Sequence, residues 1–207
     1  NKEVLYRGEQ HIPENGAGMW DAVQVDIVHL FKARSGREKA IIFWERFGRD
    51  VEAFALTGNP TTVDVLNVSI FEIVPGHGWP RVLFPDRGSN LISEEAVEFF
   101  KAFGIDLRAA DSHMHTAVAG CERFNKTLRE LARAAHFDSG YEWDIMLPLL
   151  IYWYKTLVQS STGMSPFYLD HGREARSPWD IKHGKVEVPR TASEYALKQF
   201  GALRLAH

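Results

Sequence analysis

The sequence predicts an α/β protein in which helices flank a mixed five-stranded sheet. Two observations predict this architecture. Short apolar runs that are rich in β-branched and aromatic residues alternate with longer stretches of helical spacing. The 207 residues are 45% hydrophobic and 25% charged, which is ordinary for a globular chain that can bury a sizeable core.

The first three elements are predicted to form an antiparallel meander of strands. The three runs cover residues 23–30, 40–47 and 51–56, and each is apolar, β-branched or aromatic. Turn-forming residues at 35–37 and 48–50 separate the runs. Short strands joined by such turns are typical of consecutive hairpins.

Helices and strands then alternate along the chain. Helical spacing over 63–74 predicts a helix that ends at 75–78, where Pro and Gly follow. A strand is predicted at 81–84 and a helix at 93–103, with glutamates in its first turn. A fifth strand is predicted at 105–109.

The second half of the chain is predicted to be helical. After a predicted loop over 110–119, apolar residues fall on one stripe of a helix over 120–136. A broad-faced aromatic helix follows from Tyr141. Three strands, helix, strand, helix, strand and then helices is the order of the ribonuclease-H-like fold.

The chain divides into three predicted segments. Residues 1–18 are polar and broken by Gly and Pro, which indicates a flexible lead-in. Residues 19–182 hold the core and the tail that follows it. Residues 183–207 are predicted to be a partly helical extension.

Composition restricts the classes of function. The net charge of −3 gives no overall attraction to nucleic acid, so DNA binding has to come from local basic faces. The single cysteine, Cys121, excludes an internal disulfide and a multi-cysteine zinc site, and indicates a reducing intracellular compartment. The apolar run over 145–158 is too short to cross a bilayer, so no membrane association is expected.

Three acidic residues predict a metal-dependent phosphoryl-transfer site. Asp26 lies inside an apolar strand, where an unpaired carboxylate is costly and a metal or cation partner is the usual reason for its presence. Asp86 follows another strand, and Glu122 lies on a helix, with thirty-five residues between the two acids. Carboxylates that converge from separate elements can hold two Mg²⁺ ions about 4 Å apart, without histidine or cysteine ligands.

Each of these residues also has a simpler interpretation, which for Asp26 is a structural salt bridge. Alone, Asp86 is a turn residue and Glu122 is a solvated helical glutamate, and only the set of three points to a site. His113 and His115 lie in a polar loop and are interpreted as surface residues, so no zinc is expected in this chain.

A basic stripe shares the helix of Glu122. The stripe consists of Lys126, Arg129 and Arg133, at helical spacing. Contact with DNA phosphates and simple solvation are both open interpretations of such a row of cations.

The motifs around the three acids resemble the integrase catalytic core of retroviruses and LTR retrotransposons, and the gypsy-type elements in particular. The resemblance runs from about Met19 to Asp180. The segments that carry it are 19–26, 43–54, 78–80, 86–90, 122–128 and 161–167.

The resemblance implies an enzyme, a polynucleotidyl transferase that processes 3′ ends of DNA and transfers strands. It implies catalytic and metal-binding roles for Asp26, Asp86 and Glu122, with two Mg²⁺ or Mn²⁺ ions. It also implies DNA contacts for Asn125 and for the basic stripe, Lys126, Arg129 and Arg133.

The implied partners are the ends of the element's DNA, the target duplex and at least one further copy of the chain, and the implied location is the nucleus. Two alternatives stay open. One is a domesticated or inactive descendant that binds DNA or protein without chemistry. The other is a ribonuclease-H-like nuclease that cleaves without joining.

Overall fold

The structure, a computed structural model, describes residues 16–85, 93–108, 115–176 and 178–184. Within these residues the predicted fold class is confirmed, because a mixed five-stranded sheet is flanked by helices. Almost all of the predicted lead-in and of the C-terminal extension lies outside the described residues, and those two segments remain predictions.

The sheet has the strand order β3-β2-β1-β4-β5. β1 (Ala22–His29), β2 (Lys39–Glu45) and β3 (Val51–Leu56) form the predicted antiparallel meander. β4 (Val82–Pro85) pairs in parallel with β1, and β5 (Asp106–Leu107) pairs in parallel with β4. β1 is therefore the central strand, with an antiparallel neighbour on one side and a parallel neighbour on the other.

The helices account for most of the remaining described chain. In chain order they are α1 (Thr62–Val68), a π-helical turn (Ser69–Ile73), α2 (Val74–His77), α3 (Glu94–Ala102), α4 (His115–Ser139), α5 (Trp143–Thr156), α6 (Pro166–His171) and α7 (Pro178–His183). None of the helices in the described part of the chain combines the length and the apolar character that crossing a membrane requires.

The first helical segment is longer than predicted, because it continues past Val74 to His77. In a regular α-helix the ring of Pro75 would crowd the carbonyl of Phe71, and Pro75 has no N–H to donate to it. The wider π-helical turn precedes this point, and there the Val74 N–H bonds the Ser69 carbonyl five residues back. The segment then ends at Gly78, whose φ of 84° suits glycine.

The helix that carries Glu122 is also longer than predicted. α4 begins at His115, so its first turn occupies part of the segment that was predicted to be a loop over 110–119. The remainder of that loop, up to residue 114, lies outside the described residues.

Two apolar layers cover the two faces of the sheet. On one face, α4 and α5 pack on alternate residues of β1, β2 and β3, such as Val28, Ile42 and Trp44. On the other face, α3 and the α1–α2 segment cover the intervening residues, such as Val25 and Phe43. The first layer fixes where α4 lies over β1.

Truncation of Leu128 on α4 tests this packing. Leu128 is fully buried between α4 and the sheet, so Leu128→Ala is expected to lower the free energy of unfolding by about 2–5 kcal/mol through reduced burial and the cavity left behind. Leu157→Ala is the matched control, because Leu157 is 58% exposed. Denaturant unfolding of both variants is the measurement, and equal effects would contradict the packing described here.

Candidate active site

Asp26 lies in the middle of the central strand, on the face that α4 covers. Side chains alternate along a strand, so Asp26 shares this face with Val28, which is buried under α4. The Asp26 side chain is half-buried, and its Oδ1 accepts a hydrogen bond of 2.7 Å from the N–H of Ile27. A carboxylate is thus held at the junction of β1 and α4.

Asn125 on α4 is the residue that meets Asp26. Its side-chain Nδ2 donates a hydrogen bond of 2.5 Å to Asp26 Oδ2. Asn125 is only 6% exposed, and its Oδ1 is buried without a hydrogen-bond partner. On either side of this contact, the buried Phe124 and Leu128 pack α4 against the sheet. The amide therefore orients the Asp26 carboxylate and presents an unused acceptor of its own.

Glu122 lies three residues before Asn125 on the same helix. Residues at this spacing are neighbours on one helical face, so the backbone of Glu122 lies about one turn from the Asp26–Asn125 contact. The Glu122 side chain is exposed. The arrangement brings Asp26 and Asn125 into contact and leaves Glu122 beside them at the surface.

Asp86 lies outside the described residues. The strand before it is described to its end, and Pro85 of β4 pairs with Val25 of β1, one residue before Asp26. The metal-binding and catalytic role of Asp86 therefore stays a prediction.

The basic stripe is exposed along α4. Lys126, Arg129 and Arg133 all lie on the solvent side of the helix. Arg129 Nε also donates a hydrogen bond of 3.5 Å to the carbonyl of His29 at the end of β1. Asn125 differs from these three residues, because it is buried and bonds Asp26.

Sequence reasoning missed a second polar residue on this face of β1. Gln24 is 4% exposed, and its Oε1 is buried without a hydrogen-bond partner. It lies two residues before Asp26 and so points to the same side of the sheet. Its position as a polar residue inside an apolar strand is the same signal that identified Asp26.

A separate charged cluster lies at the β3 edge of the sheet, two strands away from β1. It contains Asp50 just before β3, Glu52 in β3, Lys155 from α5, His77 from the end of α2 and Asp170 from α6. Lys155 Nζ bonds Glu52 and lies 3.5 Å from Asp50 Oδ1. This group was not predicted, because its members come from four elements without any sequence spacing in common.

Burial and charge shift the pKa values in this cluster. Burial raises the pKa of the Asp50 carboxyl above its usual range, although the Lys155 ammonium opposes that effect. Burial also acts to raise the pKa of Glu52, but hydrogen bonding from His77 and the charge of Lys155 outweigh it, so that pKa lies below its usual range. The two carboxylates outweigh desolvation at Lys155 and raise its pKa.

Comparison with solved structures assigns the fold to a class. The chain is similar to the HTLV-2 integrase catalytic core domain in complex with magnesium, with a TM-score of 0.62 and 17% identity over 75% of this chain and 99% of that one. It is also similar to the catalytic core domain of BIV integrase, with a TM-score of 0.59 and 16% identity over 80% of this chain and 98% of that one. The fold is thus the ribonuclease-H-like fold of retroviral integrase catalytic cores.

Sequence relatives agree with this class. The chain is 27% identical over 150 residues to the Gag-Pol polyprotein of Koala retrovirus and 26% identical over 150 residues to the Pol polyprotein of Radiation murine leukemia virus. These matches cover 72% of this chain but only 9% and 26% of the two polyproteins. No protein-family model matches the chain. The resemblance to integrase cores that was predicted from the motifs is confirmed.

Substitution of Asn125 by Asp tests the contact with Asp26. A second carboxylate at a hydrogen-bond distance of 2.5 Å would repel the first, so Asn125→Asp is expected to lower the free energy of unfolding at pH 7 by about 1–3 kcal/mol. One of the two carboxylates would keep a proton in the folded state well above the pH at which it ionises in the unfolded chain. The destabilisation should therefore shrink as the pH falls toward about 4.5.

The measurement is urea unfolding at both pH values, with Asn67→Asp as the control, because Asn67 is exposed on α1. A destabilisation that does not depend on pH would show that the repulsion argument is wrong.

Proposed function

We propose that this chain is the catalytic core of a retroelement integrase, an enzyme that cuts and joins DNA strands at a site built from Asp26, Asp86 and Glu122. The observation that carries the proposal is the hydrogen bond from Asn125 to Asp26, because it joins the helix of Glu122 to the central strand. The similarity of the fold to integrase catalytic cores supports the same conclusion.

The residues at this site fit a hard divalent cation. Asp26 supplies carboxylate oxygens that are already oriented by Asn125 and by the Ile27 N–H, and Glu122 supplies an exposed carboxylate on the same side. Mg²⁺ takes oxygen ligands and keeps several of its waters, so a few carboxylates suffice. Magnesium is present in the solved HTLV-2 core, and we propose that Asp26, Asp86 and Glu122 hold Mg²⁺ or Mn²⁺ here, as two ions.

When bound, the ions supply activation of the attacking oxygen and stabilisation of charge on the phosphate. The protein's own residues have three tasks. Asn125 keeps the Asp26 carboxylate in one orientation, and burial of Asn125 limits its movement. Glu122 stays accessible at the surface, where a DNA strand can approach. The basic stripe binds the phosphates of that strand through charge.

The proposed substrates are the ends of the element's own DNA and a target duplex, with 3′-end processing followed by strand transfer in the nucleus. The origin in an LTR retrotransposon of the gypsy type rests on the motifs.

A second copy of the chain is the proposed protein partner, because α5 carries an exposed apolar row at Ile145, Leu149 and Trp153. The solved HTLV-2 core is likewise described in dimeric and trimeric forms.

Removal of one carboxylate tests the catalytic assignment. Asp26→Asn and Glu122→Gln are each expected to lower strand joining by about a hundredfold or more, because a metal ligand contributes several kcal/mol to the transition state. The assay incubates each variant with labelled duplex DNA of the element's end and Mg²⁺ or Mn²⁺, and measures processed and joined products. Glu130→Gln is the control, because Glu130 is exposed further along the same helix.

Three outcomes of that assay decide between the functions. Joined products that the unsubstituted chain forms and that vanish in both variants support the proposal. If the unsubstituted chain yields cleaved products without joining, it is a nuclease instead. If the unsubstituted chain binds DNA and yields neither product, it is a binding module.

Reversal of charge in the basic stripe tests its role in DNA binding. Lys126→Glu combined with Arg129→Glu is expected to weaken binding and to flatten the plot of log affinity against log salt, by about 0.9 for each phosphate of duplex DNA that the protein no longer neutralises. The control combines Lys101→Glu with Lys182→Glu, which changes the net charge equally at exposed positions on α3 and α7. Equal salt slopes for the two double variants would show that the stripe is a solvated helix face that does not contact DNA phosphates.

A further inference from the structure

The cluster at the β3 edge contains the elements of a metal site that is separate from the acids on β1 and α4. One ring nitrogen of His77 and one carboxylate oxygen each of Asp50 and Asp170 lie within 4.8 Å of one another. Asp50 is fully buried, while His77 and Asp170 are partly buried. Three potential ligands, from the start of β3, the end of α2 and α6, thus converge on one point.

Two atoms in this cluster are buried without a hydrogen-bond partner. They are Oδ2 of Asp50 and Nδ1 of His77. The other polar atoms of the same side chains are used, because Asp50 Oδ1 accepts from the Val51 N–H at 2.8 Å and His77 Nε2 lies 3.2 Å from Glu52 Oε1. Buried polar atoms usually have partners, so two buried acceptors of this kind in one cluster suit a shared cation.

The surroundings of His77 prepare its ring to bind a metal. Glu52 accepts a hydrogen bond from Nε2, which leaves the lone pair on Nδ1, and Nδ1 lies 3.7 Å from Asp170 Oδ2. A histidine ligand typically donates its other ring N–H to a carboxylate in this way. The indole of Trp20 stacks on the ring with centroids 3.8 Å apart and fixes its plane.

We propose that Asp50, His77 and Asp170 bind one divalent transition-metal ion of the Zn²⁺ class. An imidazole nitrogen with two carboxylates suits Zn²⁺ better than Mg²⁺, which prefers oxygen ligands and retained water. Ligands at about 2.0–2.2 Å from a tetrahedral ion lie about 3.3–3.6 Å apart. The three donor atoms lie within 4.8 Å of one another and therefore have to approach by about an ångström. Lys155 bonds Glu52 and lies on the Oδ1 side of Asp50, which leaves Oδ2 for the ion.

The proposed ion has a structural role, because it would join the end of α2, the start of β3 and α6. It does not depend on the proposed catalytic activity. The proposal replaces the expectation from sequence that the chain holds no zinc. The sequence could not indicate the site, because the ligands come from parts of the chain that share no zinc-binding motif.

Calorimetric titration of Zn²⁺ tests the site. The full chain is used with Asp26→Asn, Asp86→Asn and Glu122→Gln, so that the predicted catalytic acids cannot bind the ion. One Zn²⁺ per chain is expected, with an affinity that is lowered at least tenfold by further substitution with His77→Gln or Asp170→Asn. His136→Gln is the matched control, because His136 lies on α4 near Glu142, outside the cluster.

Two further measurements keep the test decisive. Glu52→Gln leaves all three ligands in place and is expected to weaken Zn²⁺ binding about tenfold or more, because the ring of His77 is then less firmly oriented. Zn²⁺ should also raise the midpoint of thermal unfolding of the parent and not that of the His77→Gln variant. Absence of stoichiometric binding, or binding that none of the three substitutions weakens, overturns the proposal.

Discussion

The packing of α4 on the sheet is the constraint on which the candidate active site depends. One stripe of this helix, which includes Cys121, Phe124 and Leu128, is buried against β1 and β2. Glu122 and Asn125 lie between those apolar residues, so their positions follow from how the stripe is seated. A shift of the helix by one residue would turn the amide of Asn125 away from Asp26 by about 100°. Apolar burial on α4 therefore sets the geometry of the polar groups at the candidate site.

Local pattern was enough to predict most of the fold. The meander of β1, β2 and β3 follows from β-branched runs and turn residues, and α4 follows from its apolar stripe. The missed features depend on longer-range effects. The extension of α2 through Pro75 needs a π-helical turn, and that turn is a backbone hydrogen-bond pattern that no residue type in the segment marks. α4 starts early, at His115, and the residue before it in the sequence, Met114, is not one of the usual capping residues.

A site residue could be predicted from the sequence where its own sequence neighbours made it unusual. Asp26 stands out because a carboxylate in an apolar strand requires a reason, and Asn125 was identified only through its place in a family motif. Its bond to Asp26 could not be foreseen, because it depends on the relative placement of α4 and β1. The cluster of Asp50, His77 and Asp170 is the extreme case. Each of these residues is ordinary in its own segment, and only the folded chain brings them to within 4.8 Å.

The π-helical turn at Ser69–Ile73 contains one residue more than an α-helix would need for the same number of turns. Deletion of a single residue there would restore regular α-helix with the same number of turns, so the residues after it would keep their orientation about the axis. His77 would then keep its contacts with the Trp20 ring and with Glu52. The turn can therefore absorb the gain or loss of one residue, and the surroundings of His77 depend on the position of the helix and not on the exact length of the chain before it.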